Sequence, residues 1–273
     1  MPTKLGERGR TFHALHQSGC FVIPNPWDRG SARLLAQLGF RALATTSSGM
    51  AWSMARRDNA VSVDDVLSHL RSIVESVEIP VNADFEGGFA TNPADVAANV
   101  ARATATGIAG LSIEDSTGDE ARPLIEFPLA VERICAARQA IDESGTGVVL
   151  TARSEGFIVG RPDLAETIRR LTAFAAAGAD CLYAPGIRSV SDIAAVVRAV
   201  APKPVNVLVG SDFTTVTELS ALGVRRISVG GALARAAYGA FLDAAREIAE
   251  HGTFAGLARG VPFAEINNAF PTD

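Results

Sequence analysis

Cysteine is scarce in this chain: Cys20, Cys135 and Cys181 are the only three in 273 residues. They are odd in number and widely scattered, with no CxxC and no neighbouring His. Neither a disulfide framework nor a zinc site follows, and the expected setting is a reducing, cytoplasmic one. Aromatic residues are also few, at 6%, so the interior has to be built from small and aliphatic side chains. Basic runs are missing as well, none being longer than the Arg56-Arg57 and Arg225-Arg226 pairs. With 25 Lys+Arg against 30 Asp+Glu the formal charge is -5, which offers no electrostatic footprint for a polyanion, and no nucleic acid partner is expected. Residues 1–19 are polar and carry no apolar h-region, and no stretch approaches the roughly 18 unbroken apolar residues of a membrane span. No membrane association is expected. No GxGxxG follows the first β-rich run, which argues against a dinucleotide-binding sheet.

What is present is a regular alternation. Hydrophobic residues make up 48% of the chain, enough to bury a large core in two ordinary domains or in one α/β barrel. Short β-rich runs recur at Phe21-Val22-Ile23, Ala42–Thr45, Val81-Asn82-Ala83, Gly110–Ile113, Val148–Thr151, Cys181-Leu182-Tyr183, Val205–Leu208 and Ile227-Ser228-Val229. From Phe21 to Ile227 the spacing averages about 29 residues, the length of a strand–loop–helix–loop unit. The intervening segments have helical periodicity. Between Ser62 and Val77, the residues Val63, Val66, Leu67, Leu70, Ile73 and Val74 fall on one face, with Ser62 and Asp65 as a cap. Pro93 and Pro162 stand near helix starts, and Gly178 and Gly223 form helix–glycine–strand joints. Eight such units without a linker or composition shift predict one (β/α)8 TIM barrel over residues 1–273, a fold of the α/β class. A further helix over Ala232–His251 and the segments 254–257 and 263–270 exceed what closure of a barrel needs. The Phe and Leu residues of this C-terminal extension, about 232–270, predict contacts between subunits.

In such a barrel the chemistry gathers where strands end. Those positions hold Asn25–Asp28, Ser47–Met50, Asp84–Gly88, Glu114-Asp115, Arg153–Glu155, Asn206 and Gly230-Gly231. Asp84 and Glu86 are two apart, so in an extended chain both would point to one side. Two carboxylates forced together repel unless a cation or proton intervenes. With Glu114 from the next strand, three hard oxygen donors converge, a set suited to Mg2+, with Mn2+ as the other candidate. Capping of the following helices is the alternative use of such residues, but the convergence of the trio opposite Arg153 favours a metal. Arg153 can fork onto a substrate carboxylate or balance the acidic cluster. Ser47-Ser48-Gly49 offers consecutive N–H groups, as in an anion nest or a plain turn. Gly230-Gly231 fits phosphate binding or close strand–helix packing. Asp58 is either a solvated loop charge or a mobile acid/base. His13, His16, His69 and His251 lie in helical patterns away from the strand ends and are read as surface or packing residues.

Taken in order, the segments TSSGMAWSMARRD (46–58), PVNADFEGGF (80–89), GLSIEDS (110–116), LTARSEGF (150–157) and VNVLVG (205–210) resemble the isocitrate lyase/phosphoenolpyruvate mutase superfamily, over nearly the whole chain. The resemblance implies a barrel whose eighth helix is exchanged between neighbours, giving dimers that pair into tetramers, and a small 2-oxoacid or 2-hydroxy acid bound to Mg2+. It implies Asp84 as the direct metal ligand, with Glu86 and Glu114 holding the ion through water. The backbone at Ser48, Gly49 and Met50 would grip the substrate carboxylate, Arg153 would stabilise an enolate or carboxylate, and Asn206 would stand near the distal end. Asp58 matches an aspartate whose role varies across the family.

Two departures bear on function. The lyases of the family carry a Lys-(Lys/Arg)-Cys-Gly-His motif after the fourth strand, where this chain reads DSTGDEARPLIEF without a cysteine. At the end of the sixth strand, where relatives have His or Glu, this chain places Pro185. The expected activity is a Mg2+-dependent carbon–carbon lyase acting on a small 2-hydroxy or 2-oxo dicarboxylate, with an enolate-like intermediate and a 2-oxoacid product. The alternatives are an oxaloacetate-type decarboxylase, a phosphonopyruvate mutase or hydrolase, and a non-catalytic 2-oxoacid-binding protein.

Overall fold

In the computed structural model, which describes residues 4–270, helix α1 (Lys4–Leu15) precedes strand β1 (Phe21–Ile23). There follow α2 (Arg29–Gln37), β2 (Leu43–Ala44), α3 (Ser47–Ser53), α4 (Val63–Ser76), β3 (Val81–Asp84), α5 (Pro93–Thr104), β4 (Gly110–Glu114) and α6 (Phe127–Ser144). The series continues through β5 (Val149–Arg153), α7 (Leu164–Ala176), β6 (Cys181–Tyr183), α8 (Val190–Val200), β7 (Val205–Leu208), α9 (Val216–Ala221) and β8 (Arg226–Ser228). The chain then runs through α10 (Ala232–His251), a 3-10 turn (Ala255–Arg259) and α11 (Phe263–Asn268). All eight β-rich runs read from the sequence are strands, three with the same bounds and five displaced at one or both ends by one or two residues. They pair in parallel in the order β1-β8-β7-β6-β5-β4-β3-β2. The remaining seam, between β1 and β2, is bridged by the Ala44 N–H donating to the Pro24 carbonyl at 3.0 Å. The architecture is the expected (β/α)8 barrel.

Local chemistry sets the helix starts. The Ser62 hydroxyl accepts from the Asp65 N–H at the head of α4, and Asn92, Asp163, Ser189 and Thr215 cap α5, α7, α8 and α9. Each such cap contributes about 1 kcal/mol. Pro93 is the first residue of α5. Pro162 lies just outside α7, where Asp163 is the cap. α4 buries Val66, Leu67, Leu70, Ile73 and Val74 against the sheet, the stripe that its periodicity predicts. Gly178 and Gly223 take φ of +102° and +87°, the left-handed turn that lets a helix end and a strand begin.

α1 closes the amino-terminal end of the barrel. Phe12 and His16 pack edge-to-face, each also against Phe21. A Cβ at Gly110 would come within 2.5 Å of the Phe12 ring, so glycine is required where the plug meets β4. Above the plug the lumen is polar, in contrast to the branched aliphatic layers usual in such barrels. Arg226 of β8 donates across it to Asn206, Thr151 and Asn82, on β7, β5 and β3. At the opposite end of the chain, α10 buries Ala234 alone, and Phe241, Phe254 and Phe263 are exposed. Cys20, Cys135 and Cys181 are free thiols. No helix among the described residues is long and apolar enough to cross a membrane.

Candidate active site

Where β3, β4 and β5 end, Asp84, Glu114 and Arg153 meet. The register pairs Glu114 with Arg153 and Asp84 with Ser112, so twist and stagger bring three adjacent strands to one mouth. Arg153 Nη1 lies 2.7 Å from Asp84 Oδ1, Nη2 3.0 Å from Glu114 Oε2, and Nε 3.0 Å from Glu155 Oε1. Burial opposes the guanidinium charge, but Glu114, Glu155 and Asp84 outweigh it and hold the Arg153 pKa well above its ordinary value. Glu155 is pushed up to about 8, by burial against the pull of Arg153. The other oxygen of Asp84 accepts the Ser47 N–H at 3.0 Å, and the Asp84 N–H donates to the Thr45 hydroxyl at 2.9 Å. Both bonds tie β3 to the start of α3.

Glu86 reaches this cluster differently from the expectation. β3 ends at Asp84, Phe85 turns into the core, and Glu86 has φ +46°. The two carboxylates therefore do not share one extended segment. Glu86 is brought over by a left-handed turn, a conformation that costs a non-glycine residue about 1 kcal/mol or more and persists only where surroundings impose it. The turn is held by the Glu114 N–H donating to the Glu86 carbonyl at 3.0 Å and by Arg133, which donates to the Gly87, Ala90 and Glu114 carbonyls. Burial, and then the charges of Asp84, Glu114 and Asp58, push the Glu86 carboxyl up to about 8.

Asp58 stands on the loop after α3 and lines the mouth together with Arg153 and Glu155. Its pKa is raised by burial first, against a hydrogen bond from Ser47, with Asp84 and Glu114 adding to the rise. Because Asp58 keeps much of its surface exposed, solvent screens that effect. The carboxylates of Asp58, Asp84, Glu86, Glu114 and Glu155 thus gather about the guanidinium of Arg153. Among the described residues, no trio of His, Cys, Asp or Glu closes on a common point as a finished metal shell; Arg153 bridges Asp84 and Glu114. The donor set nevertheless fits a divalent cation. It consists of hard oxygens in negative surplus, and the neighbouring carboxylates add to the rise that burial imposes on Glu86 and Glu155.

Ser47, Ser48, Gly49 and Met50 form the first turn of α3, where a nest or plain turn was expected. The Gly49 N–H points to the Thr46 hydroxyl at 3.4 Å and the Met50 N–H to the Thr46 carbonyl at 3.1 Å. With Ser47 committed to Asp84, Ser48 alone in this turn has an N–H without a partner among the described residues. Ser47 and Ser48 line the cavity, whereas Met50 is buried in the core. A Cβ at Gly231 would come 2.8 Å from Ser48 Oγ, so the Gly230-Gly231 pair lets α10 begin against α3. Asn206 lies on the cavity floor, accepting from Arg226 Nε at 2.8 Å and donating to Ser228 Oγ at 2.9 Å.

The cavity that these residues enclose measures about 160 Å³ and is bordered by Asp84, Arg153, Glu155, Tyr183, Asn206 and Ser228. That is below the range for drug-sized ligands and suits a small acid. A second cavity of about 600 Å³ lies outside it, lined by Glu114, Asp58, Arg153 and the loop residues Ser116, Gly118, Asp119 and Glu120. Glu155 stands among the strand-end positions of the sequence without an assigned role, and Tyr183 and Arg226 were not singled out as site residues. Glu155 follows Arg153 by two at a strand end and Tyr183 ends β6, so position alone could have marked both. Pro185 also lines the cavity, two residues beyond Tyr183.

A family model described as phosphoenolpyruvate phosphomutase matches residues 12–249. Among solved structures, a candidate lyase/mutase from Burkholderia cenocepacia J2315 superposes with a TM-score of 0.94 at 48% identity, over 97% of this chain and 96% of that one. A phosphonopyruvate hydrolase complex with oxalate and Mg2+ superposes with a TM-score of 0.83 at 26% identity, over 96% and 95% of the two chains. An oxaloacetate decarboxylase of Pseudomonas savastanoi pv. phaseolicola is 29% identical over 247 residues, 87% of this chain and 83% of the relative. With strand-end carboxylates and a facing arginine in one barrel mouth, and a family match spanning all eight strands, the chain belongs to the phosphoenolpyruvate mutase family, within the isocitrate lyase/phosphoenolpyruvate mutase superfamily.

Proposed function

We propose that this chain is a divalent-metal-dependent lyase that breaks a carbon–carbon bond in a small 2-hydroxy or 2-oxo dicarboxylate, through an enolate-like intermediate and with a 2-oxoacid as product. The observation that carries the reading is Arg153, held by Asp84, Glu114 and Glu155 at the wall of a cavity sized for a small acid. Mg2+, when bound by Asp84 with Glu86 and Glu114 behind it, supplies Lewis-acid polarisation of the substrate oxygens. Arg153 uses three of its five N–H donors on carboxylates and keeps two for an oxygen of the substrate. As the bond breaks and its electron pair moves onto the oxo oxygen, this preorganised charge stabilises the developing enolate. Ser48 offers its N–H to the substrate carboxylate, beside Gly49 and Met50, and Asn206 faces the distal end from the floor. Asp58, at the exposed rim, passes protons between a substrate hydroxyl and water.

Oxaloacetate decarboxylation is a second reading, supported by the loop between β4 and α6. That loop carries no thiol, and Ser116, Gly118 and Asp119 border its cavity. We further propose that the whole chain works as one barrel and that the tail about α10 and α11 packs against a second copy. Its exposed Phe241, Phe254 and Phe263 would otherwise remain in water.

A coupled assay over malates, isocitrate, 2-methylisocitrate, oxaloacetate and phosphonopyruvate, with Mg2+ and with EDTA, tests the reading. Release of a 2-oxoacid from a carbon substrate, lost in EDTA, is expected. Equal turnover in EDTA removes the metal, and turnover of phosphonopyruvate alone replaces the carbon–carbon assignment with carbon–phosphorus chemistry.

A further inference from the structure

The reading above leaves the protonation of the enolate without a donor, since the loop after β4 has no cysteine. The lumen below the site supplies one. Arg226 is buried, and among the described residues it forms no ion pair with a carboxylate; its guanidinium faces Asn206, Thr151, Asn82 and His16. Because arginine only donates, it fixes the direction of every bond that follows. Arg226 Nε donates to Asn206 Oδ1 at 2.8 Å, which turns the amide so that Nδ2 donates to Ser228 Oγ at 2.9 Å. Ser228 thereby accepts from below, and its own hydrogen is directed to Tyr183 Oη at 3.5 Å. The tyrosine oxygen is the acceptor at the end of this chain, so its hydrogen is the one left to point outward. Tyr183 borders the same cavity as Asp84, Arg153 and Asp58, and the Arg153 guanidinium sits 5.3 Å from its ring centre.

We propose that the Tyr183 hydroxyl is the proton donor of this site, with Arg226, Asn206 and Ser228 as a directional relay that positions it. The inference rests on the enolate reading. When the substrate's carbon–carbon bond has broken, the enolate carbon takes the phenolic proton. A C–H bond forms, the O–H bond breaks, and the electron pair stays on the tyrosine oxygen. That oxygen is stabilised by the Ser228 hydroxyl and the nearby Arg153 charge, and it recovers a proton from water entering the cavity. Burial keeps the phenol protonated, its pKa pushed up to about 12 against the pull of Arg153 and Ser228, which suits an acid that must hold its proton until the enolate forms. The unpaired cation at the foot of the relay also has a use. Transient tyrosinate places a negative charge at the far end of a hydrogen-bonded chain that begins on Arg226, where each bond is polarised to receive it.

For a 2-oxo substrate, whose enolate is that of the 2-oxoacid product, microscopic reversibility requires the same group to exchange the C3 hydrogens of the bound 2-oxoacid. Pyruvate and 2-oxobutanoate are incubated with the full-length protein and Mg2+ in D2O at pH 7 and pH 9, and loss of the C3 proton signal is followed by NMR. The wild type is expected to exchange, faster at pH 9, because the required tyrosinate fraction grows with pH. Tyr183→Phe, which preserves the ring packing, is expected to lower the rate by about 100-fold or more, with oxalate affinity by calorimetry unchanged within about threefold. Ser228→Ala, removing one link of the relay, is expected to slow exchange about tenfold and move its pH profile upward without loss of oxalate affinity. Exchange by Tyr183→Phe within threefold of the wild type, or a parallel loss of oxalate binding, overturns the donor role and leaves the enolate reading standing. Absence of exchange in the wild type with both acids overturns the enolate reading for a 2-oxo substrate, and this inference with it.

Discussion

Arg153 sits where the charges of the mouth are decided. One guanidinium answers three carboxylates at 2.7–3.0 Å, and a lysine ammonium cannot match that planar fork. Arg153→Lys is expected to lower kcat/KM about 100-fold or more, measured on whichever panel substrate is turned over, with the barrel's far-UV signal retained. Asp84 carries the second residue-level prediction: Asp84→Ala is expected to lose both turnover and metal-dependent thermal stabilisation, and a fully active variant would contradict its assignment. Asp84, Glu114 and Arg153 were legible in the sequence because each ends a strand and strand ends face one mouth in this fold. Tyr183 could have been marked by its place at the end of β6, but its link to Arg226 depends on a hydrogen-bonded path across the lumen from β8 to β6 that no spacing reveals. Glu86 was placed by an extended-chain argument, and the structure replaces that route with a left-handed turn clamped by Arg133.

Elements are held to one another by buried polar pairs as well as by apolar packing. Arg170 on α7 donates to Asp115 at 3.1 Å and to the Ile125 carbonyl at 2.9 Å, while Asp115 accepts the Glu155 N–H at 2.8 Å. This clamp fastens the loops after β4 and β5, the two strands that present Glu114 and Arg153. Asp115→Asn removes one of the two carboxylates paired with Arg170, leaving Glu166 at 2.8 Å as the other, and a loss of about 1.5–3 kcal/mol in denaturant unfolding is expected. The plug formed by α1 has its own signature. His16 has its pKa lowered from 6.5 to about 3, by burial first and then by the charge of Arg226. The unfolded chain therefore binds this proton more readily between those values. The contribution of neutral His16 is whole above pH 6.5 and is lost as the pH falls toward 3, about 3 kcal/mol by pH 4. His16→Gln is expected to flatten that part of the stability–pH curve, and an unchanged slope would count against the assignment. The strands were readable from periodicity, and a few helix starts from residues such as Ser62 and Pro93, whereas the caps Asn92, Asp163, Ser189 and Thr215 were not picked out. α3 was not, because seven residues with three serines and a glycine carry no helical stripe.

At the scale of the molecule, the barrel's eight units account for the chain only as far as β8, and the tail remains an exposed amphipathic arm. Phe241, Phe254 and Phe263 on a helix and segments that bury little within the chain form the kind of apolar surface that marks an interface. Light scattering is expected to show an even-numbered homo-oligomer, and Phe263→Asp combined with Phe241→Asp to shift it toward smaller species. The acidic balance of -5 acquires a location at this scale, since Asp58, Asp84, Glu86, Glu114 and Glu155 gather at one mouth around Arg153. If that surplus holds a cation, Mn2+ titration followed by electron paramagnetic resonance, with oxalate present, detects it. The wild type should bind one Mn2+ per chain, more tightly at pH 8 than at pH 6 as protons leave Glu86 and Glu155, and Asp84→Ala should bind none. Equal Mn2+ binding by the two proteins, or none by the wild type, would contradict the account.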